Sequence, residues 1–291
     1  MEKIQDYVEQ IRTFFPELDI KSAEVNEEGQ YNDVLVINDS LIFRFAKVHD
    51  AIRTLRREVT ILHHLQERIS LPIPDPAYVN TDSKIIGEVF VGYPMIPGIP
   101  LWRKNFRKIT NSDVRQRMAL QLAAFLKELH QVPINELPLE FQIEDSPEDW
   151  KKMYSQIQEK LFSYMRTDAR KEISRHFENF FVNIKRYEFQ PKLRHGDFGT
   201  GNILFNSERQ SIAGVIDFGG VGFGDPAGDF AGLFSSFGEE FYRYCYPAYP
   251  AMEAALERVK FYYGTFALQE ALFGFDNNDQ EAFRAGMKNY V

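Results

Sequence analysis

The sequence predicts an α+β protein of two lobes, a β-rich N-terminal lobe and a mainly helical C-terminal lobe. The chain has 291 residues and a mass of 33.9 kDa, about twice the usual size of a domain with one hydrophobic core. Short β-branched and aromatic runs fill the first third, and apolar residues at helical spacing follow. We place the lobes at residues 1–95 and 99–291, with a hinge at about 92–98.

The N-terminal lobe is predicted to contain a β-hairpin followed by one helix. The runs Val34–Ile37 and Leu41–Phe45 flank a polar turn at Asn38–Ser40, which is typical of a hairpin. From Ile52 to Leu65 apolar residues recur every three or four positions, and this spacing predicts a helix with one buried face. Three prolines end that helix, and Ile85–Val91 is predicted to form a further strand.

Helices are expected to dominate the C-terminal lobe. Asn111 supplies a helix cap, and an apolar stripe follows from Met118 to Leu129. The charged segment 142–188 predicts one or two surface helices, and residues 252–291 also have a helical pattern. Between them, residues 193–230 contain short apolar runs broken by glycine and aspartate, as expected for loops beside short strands.

The composition argues against several classes of protein. With 34 Lys plus Arg and 42 Asp plus Glu, the net charge is −8, so a nucleic-acid partner is not expected and a cationic ligand is favoured. The single cysteine, Cys245, excludes an internal disulfide and a zinc site built from cysteines. The chain has no signal-peptide pattern and no apolar stretch near the roughly 18 residues that span a bilayer. We therefore expect a cytoplasmic protein without a membrane partner.

Three polar residues with a distinctive spacing suggest phosphoryl transfer. Asp197 and Asn202 lie in the stretch His195-Gly-Asp-Phe-Gly-Thr-Gly-Asn, and Asp217 begins Asp-Phe-Gly after the next apolar run. Hard cations prefer oxygen ligands, and phosphoryl transfer depends on positioning the nucleophile. On this interpretation Asp197 accepts the proton of an attacking hydroxyl, while Asn202 and Asp217 hold Mg²⁺. Each residue alone could be an ordinary turn residue, but their joint spacing favours the functional interpretation.

These residues resemble a known motif. The chain is similar to the aminoglycoside phosphotransferase and choline kinase family of small-molecule kinases, nearest to the aminoglycoside 2″-phosphotransferases, with some macrolide phosphotransferase resemblance. The family motif H-x-D-x-x-x-x-N matches His195, Asp197 and Asn202, and its metal aspartate matches Asp217. The resemblance implies a two-lobed protein-kinase-like fold, nucleotide between the lobes, and His195 as a buried orienting group. The segment 225–229 resembles D-P-x-x-D, whose acids are expected to cap a helix and support the catalytic loop.

The N-terminal lobe offers a nucleotide site that fits this resemblance. A kinase needs a strand cation for the α and β phosphates and a helix glutamate to hold it, and Arg44 and Glu58 occupy those places. The family more usually has lysine there, and Lys47 is the rival cation, but strand alternation puts it on the opposite face. Arg44 could instead be a solvated strand-edge residue. The covering loop would be residues 26–32, with Gly29 allowing the backbone to approach phosphate.

The predicted hinge offers contacts for a nucleobase. Because Pro94 has no amide hydrogen, the expected contacts are the Pro94 carbonyl and the Ile96 amide. Tyr93 would stand at the back of this pocket. In the aminoglycoside 2″-phosphotransferases that the chain resembles, a bulky residue here is associated with a preference for GTP, so ATP and GTP both remain open. Ordinary packing at a strand end is the alternative role for Tyr93.

The acceptor is expected to be a small molecule, with an aminoglycoside preferred. A polycationic acceptor needs several carboxylates. The candidates are Glu239, Glu240, Glu270, Asp276 and Asp279, with the acidic segment 144–149 as a possible outer wall. The serines at 235 and 236, where acids would be preferred, weaken the aminoglycoside interpretation. Aromatic residues at 237–249 would suit a macrolide, although helix packing is their commoner use.

The sequence as a whole predicts an Mg²⁺-dependent phosphotransferase that moves the γ-phosphoryl group of ATP or GTP to a hydroxyl of a small molecule. Alternatives are a macrolide or choline- or homoserine-type kinase, and a nucleotide-binding protein without catalysis. A protein kinase is disfavoured because the short stretch between Asp217 and Asp225 leaves no room for a long activation segment. The pattern predicts neither the oligomeric state nor a role in antibiotic resistance.

Overall fold

A computed structural model describes residues 2–26, 29, 31–137, 142–183 and 187–291. They form two compact units: the described residues of 1–110, 135–140 and 200–221, and those of 111–134, 141–199 and 222–291. The predicted fold class, an antiparallel sheet in the N-terminal region and a helical C-terminal part, is confirmed. The lobe boundary near residue 99 stays a prediction. Within the described ranges, no helix is long and apolar enough to cross a bilayer.

The first unit is built on a five-stranded antiparallel sheet of order β1-β2-β3-β5-β4. Its strands are β1 (Ala23–Asn26), β2 (Asn32–Ile37), β3 (Leu41–Ala46), β4 (Tyr78–Asn80) and β5 (Phe90–Pro94), and its main helices are α1 (Glu2–Phe14) and α2 (His49–Leu65). The predicted hairpin is β2–β3. Three residues connect its strands; Asn38 and Asp39 have φ values of 53° and 51°, and the Ser40 amide donates a hydrogen bond to the Ile37 carbonyl at 3.1 Å. Positive φ at two successive residues is typical of the tight turns that join hairpin strands.

Each face of this sheet is covered by one helix. On the α1 face, Tyr7 and Ile11 pack with Phe43 and Phe45 of β3. On the α2 face, Ile52, Leu55 and Val59 pack with Val91 and Tyr93 of β5. Because side chains alternate along β3, Arg44 shares the α2 face. The sheet therefore directs Arg44 toward the helix that carries Glu58.

Two details of this unit differ from the sequence-based expectation. Helix α1 was not predicted, although it supplies much of the core on one face. The strand predicted at Ile85–Val91 begins only at Phe90. Ile85 and Ile86 are 60% and 43% exposed, and they precede Gly87, whose φ of 87° turns the chain.

A second, three-stranded sheet in the first unit positions residues 202 and 217. Its strands are β6 (Ile99–Pro100), β8 (Ile203–Asn206) and β9 (Ser211–Val215), in the order β6-β8-β9, and the short helix α3 (Arg103–Phe106) follows β6. Strands β8 and β9 form an antiparallel hairpin in which Ile203 is opposite Val215.

The second unit is mainly helical. Its helices are α4 (Ser112–His130), α5 (Pro147–Lys160), α6 (Thr167–Val182), α7 (Ala227–Tyr244), α8 (Ala251–Ala254), α9 (Leu256–Asp276) and α10 (Gln280–Met287), and its strands β7 (Lys192–Arg194) and β10 (Gly222–Gly224) pair antiparallel. Among its described residues, the segment 142–188 forms α5 and α6, in agreement with the one or two helices predicted there. Trp150 of α5 packs edge-on against Phe261 and Tyr262 of α9, with ring centroids 5.0 and 5.1 Å apart, and this aromatic contact anchors α5.

Helix α4 offers a test of the capping argument. The Asn111 side chain accepts hydrogen bonds from the amides of Asp113 and Val114, at 2.8 and 3.3 Å. Asn111→Ala should lower the free energy of unfolding by about 1 kcal/mol, because both amides lose this acceptor. Asn111→Asp keeps an acceptor oxygen and is the matched control, expected to change stability by about 0.5 kcal/mol or less. Urea unfolding of both variants measures the difference, and an alanine variant as stable as the wild type would contradict the assignment.

Candidate active site

The β8–β9 hairpin brings Asn202 and Asp217 to the same end of one sheet. The Ile216 amide donates a hydrogen bond to the Asn202 carbonyl at 2.9 Å. Asp217 has left-handed backbone angles, φ 64° and ψ 71°, a conformation that aspartate tolerates better than most residues, and its side chain is 47% exposed. An amide and a carboxylate oxygen at one hairpin end fit the hard oxygen ligands that Mg²⁺ prefers when nucleotide phosphates supply the rest.

Arg44 lies between two carboxylates in the first unit. Its Nη1 is 2.6 Å from Glu58 Oε1, and its Nη2 is 3.1 Å from Asp217 Oδ1. Burial by itself would lower the pKa of Arg44, but the two carboxylates outweigh it and raise the pKa above its usual value. Burial raises the pKa of Glu58, and Arg44 opposes that rise. The structure thus joins the predicted pair of Arg44 and Glu58 to Asp217, which the sequence selected separately.

Lys47, the rival cation, has other partners. Its Nζ donates to the Gly29 carbonyl at 2.9 Å and lies 3.3 Å from the buried Asp33 carboxylate. A Cβ atom on Gly29 would lie 2.4 Å from the Asn32 carbonyl oxygen, so this position requires glycine. The loop residues Glu27, Glu28 and Gln30 are outside the described residues. The covering role of the loop stays a prediction.

The three site residues of the predicted hinge differ in their exposure. Tyr93 is buried in the apolar cluster under α2, and burial raises its pKa to about 12 while the nearby Arg44 acts in the opposite direction. Pro94 is exposed. Ile96 is half-buried, and its side chain lies close to Gly214 of β9. The nucleobase contacts expected of these residues stay predictions.

The predicted catalytic loop, of which residues 195–199 lie in the second unit, is held by one buried carboxylate. Asp229 of α7 accepts hydrogen bonds from the amides of His195 and Gly196, at 2.8 and 3.0 Å, and pairs with Nε2 of the buried His130 at 3.1 Å. Burial would raise the pKa of Asp229, but His130 and the surrounding donors hold it below its usual value. The carboxylate is therefore charged, and it supports the loop as the D-P-x-x-D interpretation expected.

Within this loop His195 and Asp197 take different environments. His195 is fully buried, and its Nδ1 accepts a hydrogen bond from the Asp197 amide at 3.3 Å. Gly196 between them has a φ of 84°, which a residue with a side chain rarely adopts. The Asp197 side chain is exposed. This geometry suits an orienting histidine and an accessible carboxylate.

Asp197 lines a cavity of about 620 Å³ within the second unit. Three further acids line it, Glu144, Asp145 and Asp149, together with the cation Arg194. The acids come from the start of α5 and the residues before it, where Ser146 and Asp149 form a reciprocal capping box. The outer wall suggested by the sequence thus shares a cavity with the catalytic loop.

Arg194 links this acidic wall to the strand that precedes the loop. It forms ion pairs with Glu144 and with Asp145, the latter at 3.4 Å. Asp145 also accepts a hydrogen bond from the Asp225 amide at 3.1 Å. Burial raises the pKa of Asp145 to about 6, with Arg194 opposing. The sequence pattern did not single out Arg194, because its partners lie about fifty residues away along the chain.

The other predicted acceptor residues lie elsewhere. Glu239 pairs with Arg243 at 2.6 Å, and Glu240 accepts a hydrogen bond from the Tyr244 hydroxyl at 2.8 Å. Glu270 is exposed on α9. None of the three is among the described residues that line the cavity. Their contact with an acceptor stays a prediction, and the acids at 144–149 are the better-placed candidates.

Comparisons with known proteins identify the family to which the chain belongs. The family described as Phosphotransferase enzyme family (APH) matches residues 22–262. Viomycin phosphotransferase of Streptomyces vinaceus is 27% identical over 275 residues, covering 90% of this chain and 91% of that protein. The GDP and kanamycin complex of APH(2″)-IIIa is 25% identical with a TM-score of 0.89, and the match covers 97% of this chain and 96% of that one.

A macrolide 2′-phosphotransferase of type I shares the fold, with a TM-score of 0.75 at 18% identity and coverage of 98% and 96%. The resemblance found in the sequence is therefore confirmed, including its kinase-like fold. The matched range contains the catalytic-loop motif and both predicted metal ligands. The chain belongs to the phosphotransferase enzyme family and is a kinase-type enzyme.

Proposed function

We propose that this protein transfers the γ-phosphoryl group of ATP or GTP to a hydroxyl of a cationic aminoglycoside. The observation that carries the proposal is the cavity that contains Asp197 and is walled by three further acids. Its volume of about 620 Å³ lies in the usual range for sites that enclose a small molecule. A ligand in it would meet carboxylates on one side and the exposed Asp197 on another.

The charge of the cavity favours a cationic acceptor. Four carboxylates, those of Glu144, Asp145, Asp149 and Asp197, face one guanidinium, that of Arg194. Ammonium groups would gain charge-assisted hydrogen bonds to these carboxylates and would be attracted before contact. The GDP and kanamycin complex of the 25% identical enzyme supports an aminoglycoside, and the viomycin enzyme makes viomycin a second candidate.

Each residue has a proposed task. Asp197 orients the acceptor hydroxyl and accepts its proton. His195 and Asp229 stabilise the backbone conformation of the loop that carries Asp197. Asn202 and Asp217 would hold Mg²⁺, which when bound neutralises charge on the phosphates. Arg44, held by Glu58, would contact the phosphates. Asp197 is five positions from Asn202 in the chain.

The donor is proposed to be ATP or GTP. GDP bound to the similar enzyme supports a guanine nucleotide. The buried Tyr93, at the start of the predicted hinge, is the residue that we expect to influence the choice. Both nucleotides therefore belong in every assay.

An acceptor screen tests the proposal. Kanamycin, gentamicin, viomycin, a macrolide, choline and homoserine would each be incubated with the enzyme and Mg²⁺ plus ATP or GTP. We expect phosphorylated kanamycin or gentamicin, detected by mass spectrometry, because these acceptors carry several ammonium groups. Phosphorylation of the macrolide alone would instead favour the macrolide alternative. Nucleotide binding without transfer to any of these acceptors would contradict the proposed acceptor class.

Asp197→Ala tests the catalytic assignment. Turnover should fall by about 100-fold or more, because the acceptor hydroxyl loses its proton acceptor. Nucleotide binding, measured by calorimetry, should be unchanged. Ser207→Ala, in an exposed turn of the β8–β9 hairpin, is the control. An Asp197→Ala enzyme with wild-type turnover would exclude this mechanism.

The raised pKa of Asp145 predicts a pH-dependent acceptor affinity. With a pKa of about 6, this carboxyl becomes neutral as the pH falls through 6 and no longer attracts an ammonium group. The KM for the cationic acceptor should therefore rise between pH 7 and pH 5. Asp145→Asn should have a higher KM than the wild type at pH 7, and its KM should change much less between pH 7 and pH 5.

Asp149→Asn is the matched control for this profile. It removes one carboxylate from the same wall but leaves Asp145 able to titrate, so the step near pH 6 should persist. If the change in KM near pH 6 is the same in Asp145→Asn as in the wild type, a group other than Asp145 causes it, and the prediction is wrong.

A further inference from the structure

We propose that Arg44 stays ion-paired with Asp217 while no nucleotide is bound. This ion pair would prevent a divalent cation from binding to Asp217 in the absence of nucleotide. Cation and nucleotide would then bind as one unit. The inference rests on the proposed function, in which Asp217 is a metal ligand. It concerns what the arginine does before the nucleotide arrives, and it follows from one guanidinium contacting both Glu58 and Asp217.

The contact needs the two nitrogens of a guanidinium. Nη1 of Arg44 contacts Glu58 at 2.6 Å while Nη2 contacts Asp217 at 3.1 Å. A guanidinium is a planar fork that can bind two carboxylates at once, whereas lysine presents one compact ammonium group. A lysine at position 44 would keep the charge but could not reproduce both contacts in this geometry.

The environments of the two carboxylates determine which contact can be exchanged. The Glu58 side chain is 3% exposed and that of Asp217 is 47% exposed. Separating Glu58 from Arg44 would leave a buried charge without its partner, which is strongly unfavourable. The Asp217 contact is screened by water and therefore weaker. We expect Arg44 to stay on Glu58 and to release Asp217.

Space beside the ion pair is compatible with such a movement. A Cβ atom on Gly219 would lie 3.4 Å from Asp217 Oδ1, 4.0 Å from Arg44 Nη2 and 3.3 Å from the Thr54 methyl group. The glycine therefore leaves this side of the pair without a side chain. Nη2 can exchange the Asp217 carboxylate for a phosphate oxygen while Asp217 exchanges the guanidinium for a cation.

A Mn²⁺ titration without nucleotide tests the inference. Electron paramagnetic resonance would measure Mn²⁺ binding to the wild type and to Arg44→Lys, which has the same net charge. We expect Arg44→Lys to bind Mn²⁺ about five- to tenfold more tightly, because Asp217 is released from a partly exposed ion pair. With a non-hydrolysable nucleotide present, this advantage should disappear.

Arg56→Lys is the matched control. Arg56 is on the same helix as Glu58 and donates to the carbonyls of Thr81, Asp82 and Ser83, so its replacement should leave Mn²⁺ binding unchanged. Thermal unfolding checks that each variant is folded. If Arg44→Lys is not folded, ¹⁵N NMR of the wild-type Arg44 guanidinium gives the same test. The chemical shifts of this guanidinium should change when Mg²⁺ and nucleotide are added together but not when Mg²⁺ is added alone.

The outcomes separate this inference from the proposed function. Equal Mn²⁺ affinity of Arg44→Lys and the wild type, or guanidinium signals that respond to Mg²⁺ alone, would overturn the inference and leave the proposed function intact. Asp217→Asn should lose Mn²⁺ binding in the presence of nucleotide. If that variant binds Mn²⁺ as the wild type does, Asp217 is not a metal ligand; this inference and the metal role proposed for Asp217 are then both wrong, while the acceptor screen still decides whether phosphoryl transfer occurs.

Discussion

The Asp229 carboxylate accepts hydrogen bonds from two successive backbone amides and pairs with a buried histidine. Replacing it would leave those donors without a partner inside the protein, which costs more than the hydrogen bonds are worth. The loop therefore has one favourable shape, with His195 inside and the Asp197 side chain outside at the cavity. The chemistry that we propose depends on this arrangement, because a carboxylate on a mobile loop would not hold a hydroxyl in line for transfer.

The first unit uses buried charge in a similar way. Glu58 is a buried carboxylate whose charge is compensated by Arg44, and Arg44 in turn contacts Asp217, the proposed metal ligand. In both units a buried acid fixes the position of a more exposed functional group. Such pairs contribute less to stability than to geometry. The exposed members, Asp197 and Asp217, remain accessible to substrate or cation.

Local patterns predicted much of the fold and of the site. The kinase pattern assigned Glu58 of the predicted helix to hold Arg44 of the predicted strand, and the structure pairs the two residues. Contacts between distant segments could not be predicted in this way. Nothing near Arg194 in the sequence indicates Glu144 or Asp145. Apolar residues were also misleading where they are exposed, as at Ile85. The Glu239–Arg243 ion pair, by contrast, has a local signal, because residues four positions apart on a helix are neighbours. That spacing favours an ion pair over the acceptor contact that we expected of Glu239.

A crystal structure of the protein with Mg²⁺, a non-hydrolysable nucleotide and kanamycin tests the central claim most directly. We expect one carboxylate oxygen of Asp197 to lie about 2.6–3.2 Å from a kanamycin hydroxyl, with ammonium groups of the antibiotic near Glu144 and Asp149. Kanamycin bound with every hydroxyl beyond hydrogen-bonding distance of Asp197 would contradict the account.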